Sequence, residues 1–202
     1  MEPKASGERR AKVKQKVDRA LLRVANSLTA SRLLATPLVV YMLLETAERP
    51  ELDRVVLALL VVLQATDVLD GYIARRAQGQ LRVNPAGEIL DPIADKLYIN
   101  SSFVTLAVIG RVEVWVAAVI VMRDVLILLG WLLRYIRSGV RTLPNVLGKV
   151  ADSSQALLLF AILIGPSALI LKGFAFTAVG LTVLSGLAYA RAALIADGPA
   201  RT

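Results

Sequence analysis

The stretch Asp67-Val-Leu-Asp70-Gly71-Tyr-Ile-Ala74-Arg75, followed by Gly87-Glu-Ile-Leu-Asp91-Pro-Ile-Ala-Asp95-Lys96, decides how this chain is read. On a helix, Asp67, Asp70, Gly71 and Ala74 fall at i, i+3, i+4 and i+7, which is one face. Gly87, Asp91 and Asp95 are spaced four apart and again share a face. Two helices joined only by Arg75–Ala86 run antiparallel, so their aspartate faces can meet. Four clustered carboxylates repel one another, and near a bilayer they must be paired, solvated or bound to a cation. A divalent cation resolves both problems, and a pair of cations about 3.5–4 Å apart could clamp a phosphoryl centre.

The rest of the sequence sets the medium. Of 202 residues, 56% are hydrophobic, yet the formal net charge is +8. Apolar bulk with a basic excess fits membrane helices flanked by cationic loops. A nucleic-acid binder could be as basic but would not need long apolar runs. There are no cysteines and no histidines. This excludes disulfides and thiolate metal sites, removes the commonest zinc ligand, and leaves only hard oxygen donors, which suit Mg²⁺, Mn²⁺ or Ca²⁺.

A bilayer core takes about 20 apolar residues per helix. Six segments qualify: Ser27–Leu44, Val55–Ala74, Ile89–Ile109, Val114–Tyr135, Leu147–Ile164 and Ala168–Ala193. Polar or turn-forming stretches separate them, the shortest being Gly165–Ser167. Residues 1–25 are too charged for a cleavable signal peptide. From Ala11 to Val24 they carry the pattern of a basic amphipathic helix on an anionic leaflet, or else of a solvated tail. The expected fold is an all-α integral membrane protein, six transmembrane helices preceded by an N-terminal amphipathic interfacial helix. The tail would span 1–25 and the helical domain 26–196. Positive charge concentrates on the side holding the N-terminus, Arg75, Arg76, Arg82, Arg134, Arg137, Arg141, Lys149 and Arg191, so both termini are expected in the cytoplasm.

The aspartate stretch resembles the signature of the CDP-alcohol phosphotransferases, D-x-x-D-G-x-x-A-R, a spacer, then G-x-x-x-D-x-x-x-D. All eight fixed positions match. The spacer from Arg76 to Ala86, 11 residues, is longer than is usual in that family. The resemblance implies that Asp67, Asp70, Asp91 and Asp95 hold one or two Mg²⁺ or Mn²⁺ ions. It implies that Gly71, Ala74, Arg75 and Gly87, with Asn26 and Thr29 of an N-x-x-T-x-x-R start to the first helix, shape the site of a CDP-linked donor, usually CDP-diacylglycerol. Asp95 would be the general base for the acceptor hydroxyl. The family's acceptors include glycerol 3-phosphate, phosphatidylglycerol and inositol phosphate. Met122-Arg123-Asp124 and Pro144–Gln155 look like the branch of phosphatidylglycerophosphate and cardiolipin synthases. A homodimer in a bacterial inner membrane, multi-pass and with its site facing the cytoplasm, is implied as well.

On the acceptor side, Arg123, Lys149 and Arg191 could form an anion pocket. Arg123, in the middle of an apolar helix, could bind an acceptor phosphate or pair with Asp124 or Asp152. Lys149 and Arg191 could be explained by positive-inside placement alone. An ion-coupled transporter with the aspartates as a relay is the rival of a different class.

Overall fold

A computed structural model describes residues 30–77, 85–138 and 146–196, with backbone only at 67–68, 70–77, 85–92, 95, 135, 137–138 and 193–196. The amphipathic helix expected within 1–25 lies outside the described residues.

Every regular element among the described residues is helical. Helix α1 occupies 30–45. A 3₁₀ turn at Pro50–Leu52 leads into α2, Asp53–Ala77. Then come α3, Pro85–Val108; α4, Val114–Ser138; α5, Val146–Ile164; and α6, Ala168–Ala196. These bounds agree with the apolar segments to within a few residues.

Local chemistry explains the breaks. After α3, Gly110 adopts a φ of 74°. Its N–H reaches the Ala107 carbonyl at 3.1 Å, and the Arg111 N–H reaches the Leu106 carbonyl at 2.9 Å. This paired pattern satisfies the last carbonyls of the helix, and it needs a residue that tolerates the left-handed region. Gly165, at φ 71°, closes α5 with a single bond from its N–H to the Ala161 carbonyl, 3.1 Å. Pro166 follows, so the helix cannot continue.

Among the described residues, three helices are long and apolar enough to cross a bilayer, over Val114–Arg134, Val146–Ile164 and Ala168–Ala192. The chain is a membrane protein. Helices α2 and α3, with 25 and 24 residues, also have the length to cross a bilayer.

The chain forms two compact units. One contains the described residues up to Leu38 and those within Ala58–Tyr98. It includes the facing parts of α2 and α3, where Leu60, Leu63, Ala94 and Tyr98 are buried. The other contains Val39–Leu57 and the described residues from Ile99 onward. In it α6 packs against both α5 and α4, around Ile120, Leu158, Leu159, Ile162 and Ala178. Between helices in lipid this packing is held by dispersion and polar contacts rather than by expulsion of water. The same unit carries a two-point ion pair, with Arg111 Nη1 2.5 Å from Asp53 Oδ1 and Nη2 2.9 Å from Oδ2. It ties the α3–α4 connection to the first turn of α2, where a carboxylate also suits the helix dipole.

Candidate active site

The aspartates are placed by backbone alone. Asp67 and Asp70 lie in the C-terminal half of α2, and Asp91 and Asp95 in the N-terminal half of α3. Their side chains, and those of Gly71, Ala74, Arg75 and Gly87, are outside the described set, as are Asn26 and Thr29 entirely. Among the described side chains no group of three acidic, histidine or cysteine residues could hold a metal ion.

One hydrogen bond joins the two helices one turn beyond the aspartate stretches. The Tyr98 hydroxyl donates to Gln64 Oε1 at 2.6 Å. Tyr98 is 2% exposed. Gln64 lies thirteen residues before the end of α2 at Ala77, and Tyr98 thirteen residues after the start of α3 at Pro85. The pair therefore bridges two equal arms of an antiparallel helical hairpin. Moving one turn from Gln64 toward the connection reaches position 67, and one turn back from Tyr98 reaches position 95. A further turn brings 71 level with 91, and the next brings 75 level with 87. Counted this way, six of the eight fixed positions, 67, 71, 75, 87, 91 and 95, fall into three pairs. Asp67, Asp70, Asp91 and Asp95 offer only oxygen donors, which suit a hard divalent cation.

The cationic residues separate by environment. Arg123 on α4 is 7% exposed. Its Nη1 donates to Asp124 Oδ1 at 2.6 Å and to Asp152 Oδ1 on α5 at 2.8 Å. Its Nη2 donates to Ser185 Oγ on α6. Of the options left open by the sequence, pairing with Asp124 and Asp152 is the one observed. A charge at this depth is stabilised only by such partners, and here one guanidinium meets two carboxylates. Lys149 and Arg191 are both exposed, Lys149 next to the buried Gly148. A Cβ at Gly148 would stand 3.3 Å from the Tyr189 ring and hydroxyl and 3.5 Å from Arg123 Nη2, so the absence of a side chain lets α4, α5 and α6 converge there. Below this point Gln155 Nε2 donates to Thr182 Oγ1 at 3.1 Å, both side chains being wholly buried.

Gln64, Tyr98, Gly148, Ser185 and Tyr189 were not singled out by sequence reasoning. Gln64 shares its helix face with Asp67, and Tyr98 with Asp95, so extending each aspartate face by one turn would have found both.

The model of the CDP-alcohol phosphatidyltransferase family matches residues 22–187. A Drosophila melanogaster protein named "Probable cardiolipin synthase (CMP-forming)" is 32% identical over 62% of this chain and 39% of its own length. Two proteins named "CDP-diacylglycerol--glycerol-3-phosphate 3-phosphatidyltransferase" are also similar. The one from Bacillus subtilis is 31% identical over 65% of this chain, and the one from Pseudomonas fluorescens 39% identical over 64%. The match spans 69% of each. These names are those of transferases of phospholipid synthesis. With the signature stretches carried on α2 and α3 and a family match running from 22 to 187, the chain belongs to the CDP-alcohol phosphatidyltransferase family.

Proposed function

We propose that this protein transfers a phosphatidyl group from CDP-diacylglycerol to a glycerol-type acceptor, glycerol 3-phosphate first, and releases CMP. The hydrogen bond between Tyr98 and Gln64, one turn beyond Asp95 and Asp67, supports this reading, because it joins the two helices that carry the half-signatures.

Asp67, Asp70, Asp91 and Asp95 would hold one or two Mg²⁺ or Mn²⁺ ions. A bound divalent cation supplies charge neutralisation at the donor's pyrophosphate. Gly71, Ala74 and Gly87 leave room for the donor to approach the backbone, and Arg75, where α2 nears its end, grips phosphate. Asn26 and Thr29 add polar contacts to the nucleotide. Asp95 accepts the proton of the acceptor hydroxyl. The new bond forms between that oxygen and the β-phosphorus, the bond from the β-phosphorus to the bridging oxygen breaks, and CMP leaves with the electron pair. Without histidine in the chain, an aspartate is the available base.

On the acceptor side, the exposed cations Lys149 and Arg191 serve the acceptor's phosphate. Arg123 contributes through its hold on Asp152 and its approach to Gly148. The reading further assigns six membrane spans, α1 to α6, and a homodimer in a bacterial inner membrane. The charge asymmetry between loops supports a cytoplasmic site. Transfer to phosphatidylglycerol is the second reading, favoured by the similarity to proteins named cardiolipin synthase.

The test is an acceptor panel. Purified protein receives Mg²⁺, labelled CDP-diacylglycerol and, separately, glycerol 3-phosphate, phosphatidylglycerol, inositol phosphate or serine. The expected product is phosphatidylglycerophosphate with one CMP per lipid. Product from inositol phosphate or serine alone would refute the glycerol-type acceptor.

A further inference from the structure

The hydrogen bond between Tyr98 and Gln64 has no part in the chemistry above, yet it occupies a distinctive place. It lies one turn beyond Asp67 on α2 and one turn beyond Asp95 on α3. We propose that Tyr98 and Gln64 are positioning residues whose hydrogen bond sets the register of α2 against α3 and so the spacing of the four aspartates that take a divalent cation. This inference rests on the metal-dependent reading given above.

The physical case begins with what else could set the register. On α2 and α3 within this unit, the other buried side chains among the described residues, Leu60, Leu63 and Ala94, are aliphatic. In a bilayer, lipid tails compete on nearly equal terms for such surfaces, so aliphatic packing holds two helices together without choosing sharply between neighbouring registers. A slip of one residue shifts a helix by about 1.5 Å and turns it by about 100°. Metal–ligand distances tolerate deviations of only about 0.2 Å. A directional bond between a phenol and an amide, made where water is scarce, penalises such a slip because it would leave two buried polar groups unmatched. The bond lies between the aliphatic interior and the aspartate rows, where a small rotation would be passed to the metal ligands with little attenuation. A tyrosine donor reaching a glutamine acceptor also spans more than a residue-to-residue contact would, so the pair can hold the two backbones apart at a set distance.

The test uses the full chain in detergent and reads Mn²⁺ binding directly, from the loss of the free hexaaquo-manganese signal in electron paramagnetic resonance, with no substrate present. The variants are Tyr98→Phe, Gln64→Leu and the double variant. The double variant replaces both polar groups by apolar ones of similar volume and so removes the orphaned-atom penalty while still lacking the bond. Thr105→Val, at a buried α3 hydroxyl that bonds only its own helix at the Ser101 carbonyl, is the control for general destabilisation. The expected result is a Kd for Mn²⁺ raised about tenfold in Tyr98→Phe and in the double variant, with the control within about twofold of the parent. The double variant should recover most of the melting temperature lost in Tyr98→Phe without recovering Mn²⁺ affinity. Mn²⁺ affinity within about twofold of the parent in both Tyr98→Phe and the double variant would overturn the positioning role and leave the proposed function standing. A parent protein that binds no Mn²⁺ would overturn the proposed function and this inference with it.

Discussion

Arg123 on α4 donates to Asp152 on α5 at 2.8 Å, and the same guanidinium nitrogen is 2.6 Å from Asp124 on its own helix. Asp124 is wholly buried by side chain, whereas Asp152 is 40% exposed. The two carboxylates therefore depend on Arg123 to different degrees. Arg123→Ala leaves a buried carboxylate uncompensated and should destabilise the protein by about 3–5 kcal/mol, read as loss of a monodisperse peak in detergent chromatography. Asp152→Asn keeps a hydrogen-bonding side chain at a half-wet position and should cost about 1 kcal/mol. Equal losses from the two substitutions would refute this ordering.

Gly148 and Gly186 both face Arg123 but differ in room. A Cβ at Gly148 would press on the Tyr189 ring and hydroxyl at 3.3 Å, while at Gly186 the nearest atom is Arg123 Cγ at 3.6 Å, an ordinary contact. Gly186→Ala should be neutral or stabilise by about 0.5–1 kcal/mol through helix propensity. Gly148→Ala should lower the melting temperature, and Gly148→Val should lower it further. Thermal unfolding of the three variants in one detergent checks the order.

The pair Arg111–Asp53 closes the α3–α4 connection onto the start of α2 through two parallel hydrogen bonds, with both side chains at most one-quarter exposed. Asp53→Asn should cost about 1–2 kcal/mol of stability. Arg111→Lys should cost nearly as much, because an ammonium group cannot reproduce the two-point fork. Neither should change Mn²⁺ affinity, which the paramagnetic-resonance titration measures.

Much of the helical layout was legible beforehand. The break at Gly165–Ser167 was read as a short polar or turn-forming link, and the structure places α5 and α6 on either side of it. The aspartate faces were legible because 3.6-residue periodicity is a property of a single helix. What periodicity does not encode is register between helices, and for that reason Gln64 and Tyr98 went unnoticed. Arg123 was recognised as needing a partner, but whether that partner is a ligand or a carboxylate depends on the approach of α5 and α6. The convergence at Gly148 and Ser185 that decides this involves residues 37 apart in the chain, with no local pattern joining them.

Metal removal separates the donor side from the fold. Chelation should abolish CMP release while leaving the α4–α6 packing intact, since the buried contacts there use side-chain and backbone groups of the chain itself. Activity should return with Mg²⁺ or Mn²⁺. Chromatographic behaviour before and after chelation, beside the CMP assay, checks both halves.

The most direct measurement of the central claim is CMP release by the parent protein and by Asp95→Asn, reconstituted in liposomes with CDP-diacylglycerol, glycerol 3-phosphate and Mg²⁺. The parent should release CMP and form phosphatidylglycerophosphate in equal amounts. Asp95→Asn should fall to background while still binding Mn²⁺, because one of four carboxylates is lost from the cation site but the proton acceptor is lost altogether. Undiminished CMP release by Asp95→Asn, or none from the parent with any acceptor, would contradict the account.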